Sequence, residues 1–326
     1  MKTLNWAILG TGTIANEMAA SMQKHGRPAY AVGNRTYEKA KAFGQKYGIQ
    51  KVYADFQEMF IDPEVDIIYI ATPHNKHFEF MKQALKNGKH ILVEKSITLN
   101  SAELDETMIL AEEKGLVMAE AMTIYHMPLY KKLRETLDAG TLGKVNLLTM
   151  NFGSFKEYDE NNRFFNRNLA GGAMLDIGVY ALSFVRWFLD SKPDQLLSQV
   201  RTASTGVDEQ SGLLLTNQEG QMATVMLSLH SKQPKRGMIS CERGYIEIME
   251  YPRAGEAKVT YTDTGKTEII EAGDNADALY YEVLDMEHAI ISGDVSAMQL
   301  SFSKDVMDLM TAFRKKWSVS YPEEER

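Results

Sequence analysis

Gly10-Thr11-Gly12-Thr13-Ile14-Ala15 lies between a short apolar run at residues 6–9 and a helical pattern at residues 14–24. In such a turn the first glycine permits the tight bend, the second lets the backbone approach a pyrophosphate, and Ala15 permits close helix–strand packing. Unpaired N–H groups at the helix start, with the positive end of its dipole, then bind the anion. The stretch therefore predicts a dinucleotide-binding turn, with Gly10, Gly12, Thr13 and Ile14 at the cofactor.

The first third of the chain repeats this alternation of short apolar runs and amphipathic stretches. The predicted strands are residues 6–9, 30–33, 66–70, 90–93 and 116–119, and the predicted helices are 14–24, 37–47, 77–87 and 102–114. Asn100 with Glu103 predicts a capping box, and Gly48, Gly88 and Gly115 stand where helix C-caps are expected. This pattern is typical of an α/β fold, here a Rossmann doubly wound parallel sheet over residues 1–122.

The rhythm changes after Tyr125. A helix at 129–139, a strand at 145–152 and an apolar helix at 180–189 precede successive short strands between 195 and 270. Turns at residues 217–220 and 263–265 separate those strands, and helices at 278–292 and 304–317 close the chain. Short strands at this spacing predict a second, α+β domain over residues 123–326, with an open, mostly antiparallel sheet.

Composition limits the classes of function. The 326 residues are long enough for two domains, and 44% hydrophobic with 25% charged residues is ordinary for a folded globular protein. The net charge of -8 argues against a nucleic-acid partner, because phosphate binding depends on clustered Lys and Arg. A small-molecule substrate remains compatible, including an anionic one held by a local basic pocket.

Cysteine usage and the N-terminal residues bear on the compartment. A single cysteine, Cys241, excludes an internal disulfide and fits a reducing environment. The apolar stretch ending at Gly10 is too short for a signal peptide, and no apolar run is expected to reach the roughly 18 residues of a membrane span. We therefore expect a cytoplasmic protein without a membrane partner.

The end of the second predicted strand bears on cofactor choice. NAD sites usually place Asp or Glu there for the ribose hydroxyl groups, but this chain has Gly33-Asn34-Arg35-Thr36 and no carboxylate before Glu38. Arg35 offers a planar fork of donors that suits a 2′-phosphate. The residues predict Asn34 and Arg35 as cofactor ligands and a preference for NADP(H), with NAD(H) still possible.

Two further loops follow strands at the same edge of the sheet, where doubly wound folds bind ligands. Residues 71–77 follow one strand and predict Thr72, Pro73, Asn75 and His77 as cofactor contacts. His74 and His77 lack a clear third ligand, so no metal is predicted. Glu94 and Lys95 end another buried strand, where a charged pair is costly unless it is paired or functional, and both are predicted as cofactor contacts.

In these residues the chain resembles the Gfo/Idh/MocA oxidoreductase family, and the resemblance covers essentially its whole length. It is most similar to the branch of dimeric dihydrodiol dehydrogenases and NADP-dependent D-xylose dehydrogenases, which carries Tyr where many relatives carry His at the position of Tyr180. The matching stretches are Gly10-Thr11-Gly12, Asn34-Arg35 with Glu38-Lys39-Ala40, Thr72-Pro73-His74-Asn75-Lys76-His77, Glu94-Lys95, Glu120-Ala121, Gly140-Thr141-Leu142-Gly143, residues 171–180 and Val319-Ser320-Tyr321-Pro322.

The resemblance implies that Lys95, Asp176 and Tyr180 form the catalytic group. A tyrosine with the ordinary pKa of about 10 needs a nearby cation to accept a proton near neutral pH, which Lys95 would supply. From the residues alone, Tyr180 reads as an aromatic on an apolar helix face and Asp176 as a helix N-cap. Tyr125 and Arg163 are candidate substrate contacts, although Arg163 also fits a solvated loop.

The chain departs from the branch at three places. Ser96 replaces the usual Pro after Glu94-Lys95, so the backbone that holds Lys95 is expected to be less fixed. Residues 123–126 lack the Trp and Arg of the branch, and Thr149 stands where the branch has Arg. We therefore expect the chemistry to carry over but the substrate pocket to differ.

The resulting hypothesis is an NADP(H)-dependent oxidoreductase that moves a hydride between nicotinamide and a sugar-like or diol substrate. The alternative is a non-catalytic NADP-binding sensor, which would not need a proton donor such as Tyr180. The resemblance also implies a homodimer or higher homo-oligomer through the second-domain sheet, where Met222 and Met226 lie on one face of a predicted strand.

Overall fold

The computed structural model describes residues 3–325. Residues 1, 2 and 326, which lie at the ends of the two predicted domains, are outside the described residues. The chain divides into two compact units, one of residues 3–121 with 279–300 and the other of residues 122–278 with 301–325. The prediction had assigned the whole of 123–326 to the second domain and did not include this return to the first unit.

The first unit is built on a six-stranded parallel sheet with the order β3-β2-β1-β4-β5-β6. The order reverses between β1 and β4, which is the topological switch point at which doubly wound sheets bind ligands. The strands are β1 (Trp6–Leu9), β2 (Ala31–Gly33), β3 (Lys51–Tyr53), β4 (Ile67–Ile70), β5 (His90–Glu94) and β6 (Met118–Ala121).

Five helices connect these strands. Asn100 accepts a hydrogen bond from the Glu103 N–H, and the Glu103 carboxylate accepts one from the Leu99 N–H. Gly48 and Gly115 are left-handed C-caps, as predicted, and Gly88 follows the cap residue of its helix. The helices are α1 (Thr13–Lys24), α2 (Tyr37–Tyr47), α3 (Phe56–Ile61), α4 (His74–Lys86) and α5 (Ser101–Lys114).

The predicted parallel sheet is confirmed, with two elements missed. β3 and α3 were not predicted because they have only three and six residues, too few to establish a period. The helix α4 begins at His74, three residues earlier than predicted, and β6 begins at Met118, two residues later.

The segment that returns to the first unit is tied to it by one buried carboxylate. Glu287 accepts a hydrogen bond from Trp6 Nε1 at 2.9 Å and pairs with both terminal nitrogens of Arg27 at 2.7 and 2.8 Å. Tyr280 stacks on His25 with ring centroids 3.7 Å apart. These partners are more than 250 residues apart in sequence, so no local pattern predicts them.

The second unit contains an eight-stranded sheet with the order β14-β13-β12-β11-β7-β10-β9-β8. All neighbours are antiparallel except β7 and β10, which confirms the predicted open, mostly antiparallel sheet. The strands are β7 (Val145–Gly153), β8 (Gln195–Thr202), β9 (Asp208–Thr216), β10 (Met222–Ser228), β11 (Arg236–Cys241), β12 (Gly244–Met249), β13 (Glu256–Tyr261) and β14 (Thr267–Glu271).

Helices cover one face of this sheet, with α8 packed on β7, β10 and β11. The helices outside the first five are α6 (Thr123–His126), α7 (Pro128–Asp138), α8 (Val179–Phe188), α9 (Ala278–Ser292) and α10 (Leu300–Lys316).

The helical stretch Arg167–Phe188 is apolar enough by length and composition to pass a test for a membrane span. This stretch contradicts the expectation that no apolar run reaches the length of a membrane span. In the structure 78% of the apolar window is buried inside the protein, as in the core helix of a globular fold.

Candidate active site

The loops after β1 and β4 touch at the switch point of the first unit. Gly10 has φ +114°, and a Cβ atom there would lie 2.5 Å from the Ala71 carbonyl oxygen. The Gly10 N–H donates to the Gly33 carbonyl at 2.8 Å, which ties the turn to the end of β2 as well. The first glycine is therefore required by the protein's own backbone.

The N-terminus of α1 is open to a ligand. Its N-cap, Gly12, makes no side-chain capping bond, and the first turn has no acidic residue, whereas α3 and α5 are capped by Asp55 and Asn100. A Cβ atom at Gly12 would meet no atom within 4 Å. The surface beside this turn is shallow and open along Thr11, Gly12 and Thr13, so the residues present leave room for a bound pyrophosphate.

One side chain that the sequence analysis missed shapes this turn. Asn16 Nδ2 donates to the carbonyl oxygens of Thr11 and Gly12 at 3.2 and 2.9 Å. Its Oδ1 accepts from Tyr47 and Lys46 at 2.8 and 3.0 Å, which links the turn to α2. An Asn one residue after the motif has no recognised sequence signal, so it was not singled out.

The end of β2 presents an arginine to solvent. Asn34 Nδ2 donates to the Thr36 carbonyl at 3.1 Å, within the loop itself. Arg35 is exposed and has no ion-pair partner among residues 3–325. The guanidinium is thus available to an anionic group, as the predicted 2′-phosphate contact requires.

The loop after β4 and the start of α4 contain the predicted cofactor contacts Thr72, Pro73, Asn75 and His77. The Thr72 hydroxyl is a buried atom with no hydrogen-bond partner among the described residues, which fits a polar group of a bound cofactor. Pro73 caps α4, and Asn75 lies half-exposed in its first turn.

His77 is the exception. Its ring is fully buried, with Nδ1 3.0 Å from the Ser96 carbonyl oxygen and Nε2 2.8 Å from that of Thr72. Burial lowers the pKa of His77, while the backbone groups around its ring act to raise it. The predicted direct cofactor contact by His77 is therefore wrong, because both ring nitrogens face the backbone of the two loops.

The loop after β5 holds Lys95 at an accessible position. Residues 91–99 are all buried except Lys95, which is half-exposed. The Glu94 carboxylate accepts hydrogen bonds from the Tyr69 hydroxyl and the Lys95 N–H.

The backbone that holds Lys95 is tied on both sides. The Lys95–Ser96 peptide bond is cis. His74 Nε2 lies 3.0 Å from the Lys95 carbonyl oxygen, and the Ile97 N–H donates to Glu120 at 3.1 Å. With the His77 contact, these bonds secure the loop without the usual Pro, contrary to the looser backbone expected at Ser96.

In the second unit, Asp176 and Tyr180 are partly exposed within a buried segment, as Lys95 is in the first unit. A π-helical turn, Met174–Gly178, leads directly into α8, and π-helical turns are frequent at functional sites. Residues 170–185 are all buried except these two, which are half-exposed. Asp176 is the third residue of the turn and not the helix N-cap that the residues alone allowed.

The two predicted substrate contacts have different outcomes. Arg163 Nη2 lies 3.4 Å from Asp176 Oδ1, so this exposed arginine does reach the predicted catalytic carboxylate. Tyr125 is fully buried, with its ring packed against Trp187 and Phe302. The substrate contact predicted for Tyr125 is wrong, because its ring is an interior side chain within the second unit.

Two glycines before the π-helical turn lie in close contact with other backbone and side-chain atoms of the second unit. A Cβ atom at Gly171 would lie 2.8 Å from the carbonyl oxygens of Arg163 and Phe164, and one at Gly172 would lie 2.3 Å from Asp208 Oδ1. Asp208 was not identified from the sequence, because it is 34 residues from its partner Met174.

No group of three or more His, Cys, Asp or Glu side chains within residues 3–325 is arranged to hold a metal ion. His74 and His77 are therefore accounted for by the backbone carbonyls that they contact.

Comparison with known protein families matches both parts of the chain. Residues 4–122 match the Gfo/Idh/MocA model described as an oxidoreductase family with an NAD-binding Rossmann fold, and residues 130–247 match the Gfo/Idh/MocA C-terminal domain. Among curated relatives, trans-1,2-dihydrobenzene-1,2-diol dehydrogenase of Mus musculus is 28% identical over 99% of both chains. The enzyme of the same name from Sus scrofa is 30% identical over 76% of this chain and 74% of its own.

Solved structures share the fold. An aldose-aldose oxidoreductase from Caulobacter crescentus, complexed with glycerol, superposes with a TM-score of 0.86 at 22% identity, covering 100% of this chain and 99% of that one. A 3-ketoreductase from Actinomadura kijaniata, in complex with NADP and TDP-benzene, has a TM-score of 0.86 at 21% identity, covering 96% and 98%.

Proposed function

The chain belongs to the Gfo/Idh/MocA oxidoreductase family and is an NAD(P)-dependent dehydrogenase, and on that premise we propose that it uses NADP(H) on a sugar-like or diol substrate. The observation that carries the proposal is that three polar side chains are partly exposed within two otherwise buried segments. Lys95 is the exposed residue of segment 91–99, and Asp176 and Tyr180 are those of segment 170–185. Curated relatives named as dehydrogenases favour this reading over the non-catalytic sensor.

We assign the cofactor to the carboxyl edge of the first unit. The uncapped N-terminus of α1, the open space at Gly12 and the unpartnered Thr72 hydroxyl support this assignment. Gly10, Thr13, Ile14, Pro73 and Asn75 line the same turns. The bound nicotinamide supplies the hydride acceptor or donor, and Arg35 supports NADP over NAD.

Tyr180 then acts as the acid–base group. In the oxidative direction Tyr180 accepts the proton of the substrate hydroxyl, while a hydride leaves the carbon atom that carries that hydroxyl. In this proposal Lys95 has the role of the cation that favours the ionised phenol, and Asp176 has the role of orienting the reacting group, with Arg163 3.4 Å from Asp176 Oδ1. In the reductive direction Tyr180 returns the proton to the carbonyl oxygen.

A panel assay tests the function directly. NADP or NAD is offered with pentoses, hexoses, inositols and trans-diols, and the reduced cofactors with dicarbonyls, while nicotinamide absorbance is followed. Turnover with NADP on any member supports the proposal and narrows the substrate class. Tight NADPH binding with no turnover across the panel would argue against a sugar-like or diol substrate.

Replacing Arg35 with Ala tests the cofactor preference. We expect Arg35→Ala to weaken NADPH binding about 10- to 100-fold, the value of a lost charge-assisted hydrogen bond, and to leave NADH nearly unchanged. Dissociation constants for both cofactors, measured by fluorescence titration, provide the readout. The control is Lys41→Ala, another exposed cation, on α2. An equal loss for the two cofactors would contradict the 2′-phosphate contact.

We further propose that the uncovered face of the second-unit sheet forms a homodimer. Apolar side chains lie on this face while the alternate residues of the same strands are buried, and patches of this kind mark interaction surfaces. Thr149, which stands where the branch has Arg, lies on the same face. It is paired with Thr224 of β10 and Met238 of β11. The exposed apolar residues of the face are Leu147, Leu197, Met222, Met226, Tyr245, Met249 and Ile269.

A charge on this face provides a test of the dimer. We expect Met226→Lys to shift the protein from dimer to monomer, because it would bury an ammonium at the centre of the interface. Sedimentation velocity at micromolar concentration measures the change. Ile109→Lys is the matched control, since Ile109 is an exposed apolar residue of α5 in the first unit. A monomeric unsubstituted protein would contradict the proposal.

A further inference from the structure

Asp208, the first residue of β9, is a fully buried acid whose two oxygens have different surroundings. Oδ2 accepts a hydrogen bond of 2.6 Å from the N–H of Met174, the first residue of the π-helical turn. Oδ1 is buried without a hydrogen-bond partner among the described residues and lies against Gly172. A buried carboxylate oxygen without a partner is costly, so a purely structural role leaves this arrangement unexplained.

The contact lies at the entrance to the catalytic segment. Asp176 follows Met174 by two residues, and Tyr180 follows it by six. The approach is tight, because Gly172 has φ +123° and has no room for a Cβ atom beside Asp208. Tyr321 steadies the preceding residue by donating its hydroxyl to the Gly171 carbonyl at 2.7 Å. The position of the turn thus depends on where Asp208 holds the Met174 N–H.

We propose that Asp208 is a positioning residue of the enzyme, which holds the turn that carries Asp176 and Tyr180 and tightens that hold when its carboxyl group loses a proton. The proposal rests on the catalytic roles proposed above for Asp176 and Tyr180.

The charges around Asp208 support a proton exchange in the working range. Burial raises the pKa of the Asp208 carboxyl to about 7, although the N–H group of Met174, the Arg314 guanidinium on α10 and the N–H groups of Asp208 itself and of Ala173 act to lower it. Arg314 is itself buried and paired with both oxygens of Glu324, at 2.8 and 2.9 Å, so much of its charge is compensated.

Two other titratable groups lie near Asp208, and each has its own environment. Tyr321 is buried, and burial raises the pKa of its hydroxyl far above the ordinary value, so it stays neutral. The neighbouring Glu209 binds Arg201 at 2.8 Å and His230 at 2.6 Å, and is thereby compensated. Within this cluster, burial brings the pKa of the Asp208 carboxyl to about 7, so its charge changes near neutral pH.

The sign of the effect on activity follows from the hydrogen bond. A charged acceptor makes a stronger N–H···O bond than a neutral carboxyl group does, so the ionised form holds the turn more firmly. We expect kcat to rise with pH through about 7. The effect on stability has the opposite sign, because the raised pKa means that the folded state binds the proton more tightly than the unfolded state. The contribution of Asp208 to stability is present at acid pH and is lost as the pH rises to about 7.

Asp208→Asn is the central test, because Asn keeps the shape and an acceptor for Met174 but cannot ionise. We expect the variant to match the unsubstituted enzyme at pH 5.5, to fall about 10- to 100-fold below it in kcat at pH 8, and to lose the rise near pH 7. NADPH affinity should not change. Urea unfolding at pH 5 and 7.5 should show the variant gaining stability relative to the unsubstituted protein as pH rises. Asp263→Asn, in the exposed turn between β13 and β14, is the matched control.

Glu324→Gln is a second test that leaves Asp208 in place. Loss of the Glu324 charge exposes Asp208 to the full positive charge of Arg314, so the rise in kcat should move to lower pH. Unchanged pH profiles in both variants would overturn the proposal. A failure of the catalytic assignment is distinguishable, since it would appear as full activity in Tyr180→Phe, whatever the profile of Asp208→Asn.

Discussion

Tyr180→Phe is expected to lose about 10²- to 10⁴-fold in kcat while binding NADPH with unchanged affinity, because only the proton transfer is removed. Tyr180 is partly exposed in a helix whose other residues are buried apart from Arg186, and its ring lies 6.1 Å from that of Phe152. Phe preserves the aromatic packing, so the fold should tolerate the change. Steady-state kinetics and NADPH titration together separate the chemical step from cofactor binding.

The matched control is Tyr261→Phe, which removes a hydroxyl that bonds Glu268 near the turn between β13 and β14. It should retain full activity. Activity of Tyr180→Phe equal to that of the control would refute the acid–base role of Tyr180.

The glycine pair in the first turn permits a second test with a large expected effect. A methyl group at Gly12 meets no protein atom within 4 Å, and the backbone there has φ -71°, which any residue adopts. We therefore expect Gly12→Ala to change the free energy of unfolding by no more than about 1 kcal/mol. If a pyrophosphate lies against this glycine, the same methyl group should weaken NADPH binding about tenfold or more.

Gly10→Ala is the comparison. Its φ of +114° and the Ala71 oxygen 2.5 Å from the added Cβ predict a loss of about 2–5 kcal/mol in the free energy of unfolding. Urea denaturation and NADPH titration of both variants provide the measurements. A Gly12→Ala protein that is stable and binds NADPH normally would exclude the pyrophosphate from this turn.

The sequence was informative wherever the signal was local. The glycine turn, the alternation of strands and helices and the turns at 217–220 and 263–265 follow from neighbouring residues, and the structure contains each of them, with some helix and strand ends shifted by two to four residues. β3 and α3 were missed because three and six residues do not establish a period.

The candidate site was predicted less completely. Lys95, Asp176 and Tyr180 came from motifs, and burial now distinguishes them from the residues around them. Motifs do not report orientation, however. His77 belongs to the matching loop, yet its ring faces two backbone carbonyls, and Tyr125 is an interior side chain.

By itself, therefore, the sequence determined the fold class and predicted the glycine turn as the cofactor site, because both depend on residues close together in the chain. Lys95, Asp176 and Tyr180 came from the family resemblance, and only the folded structure showed that they are more exposed than their neighbours. Only the tertiary structure decided that Glu287 fastens α9 to the first unit and that Asp208 holds the Met174 N–H. Those contacts join residues 281 and 34 positions apart. Packing alone brings such partners together, and no periodicity along the chain encodes them.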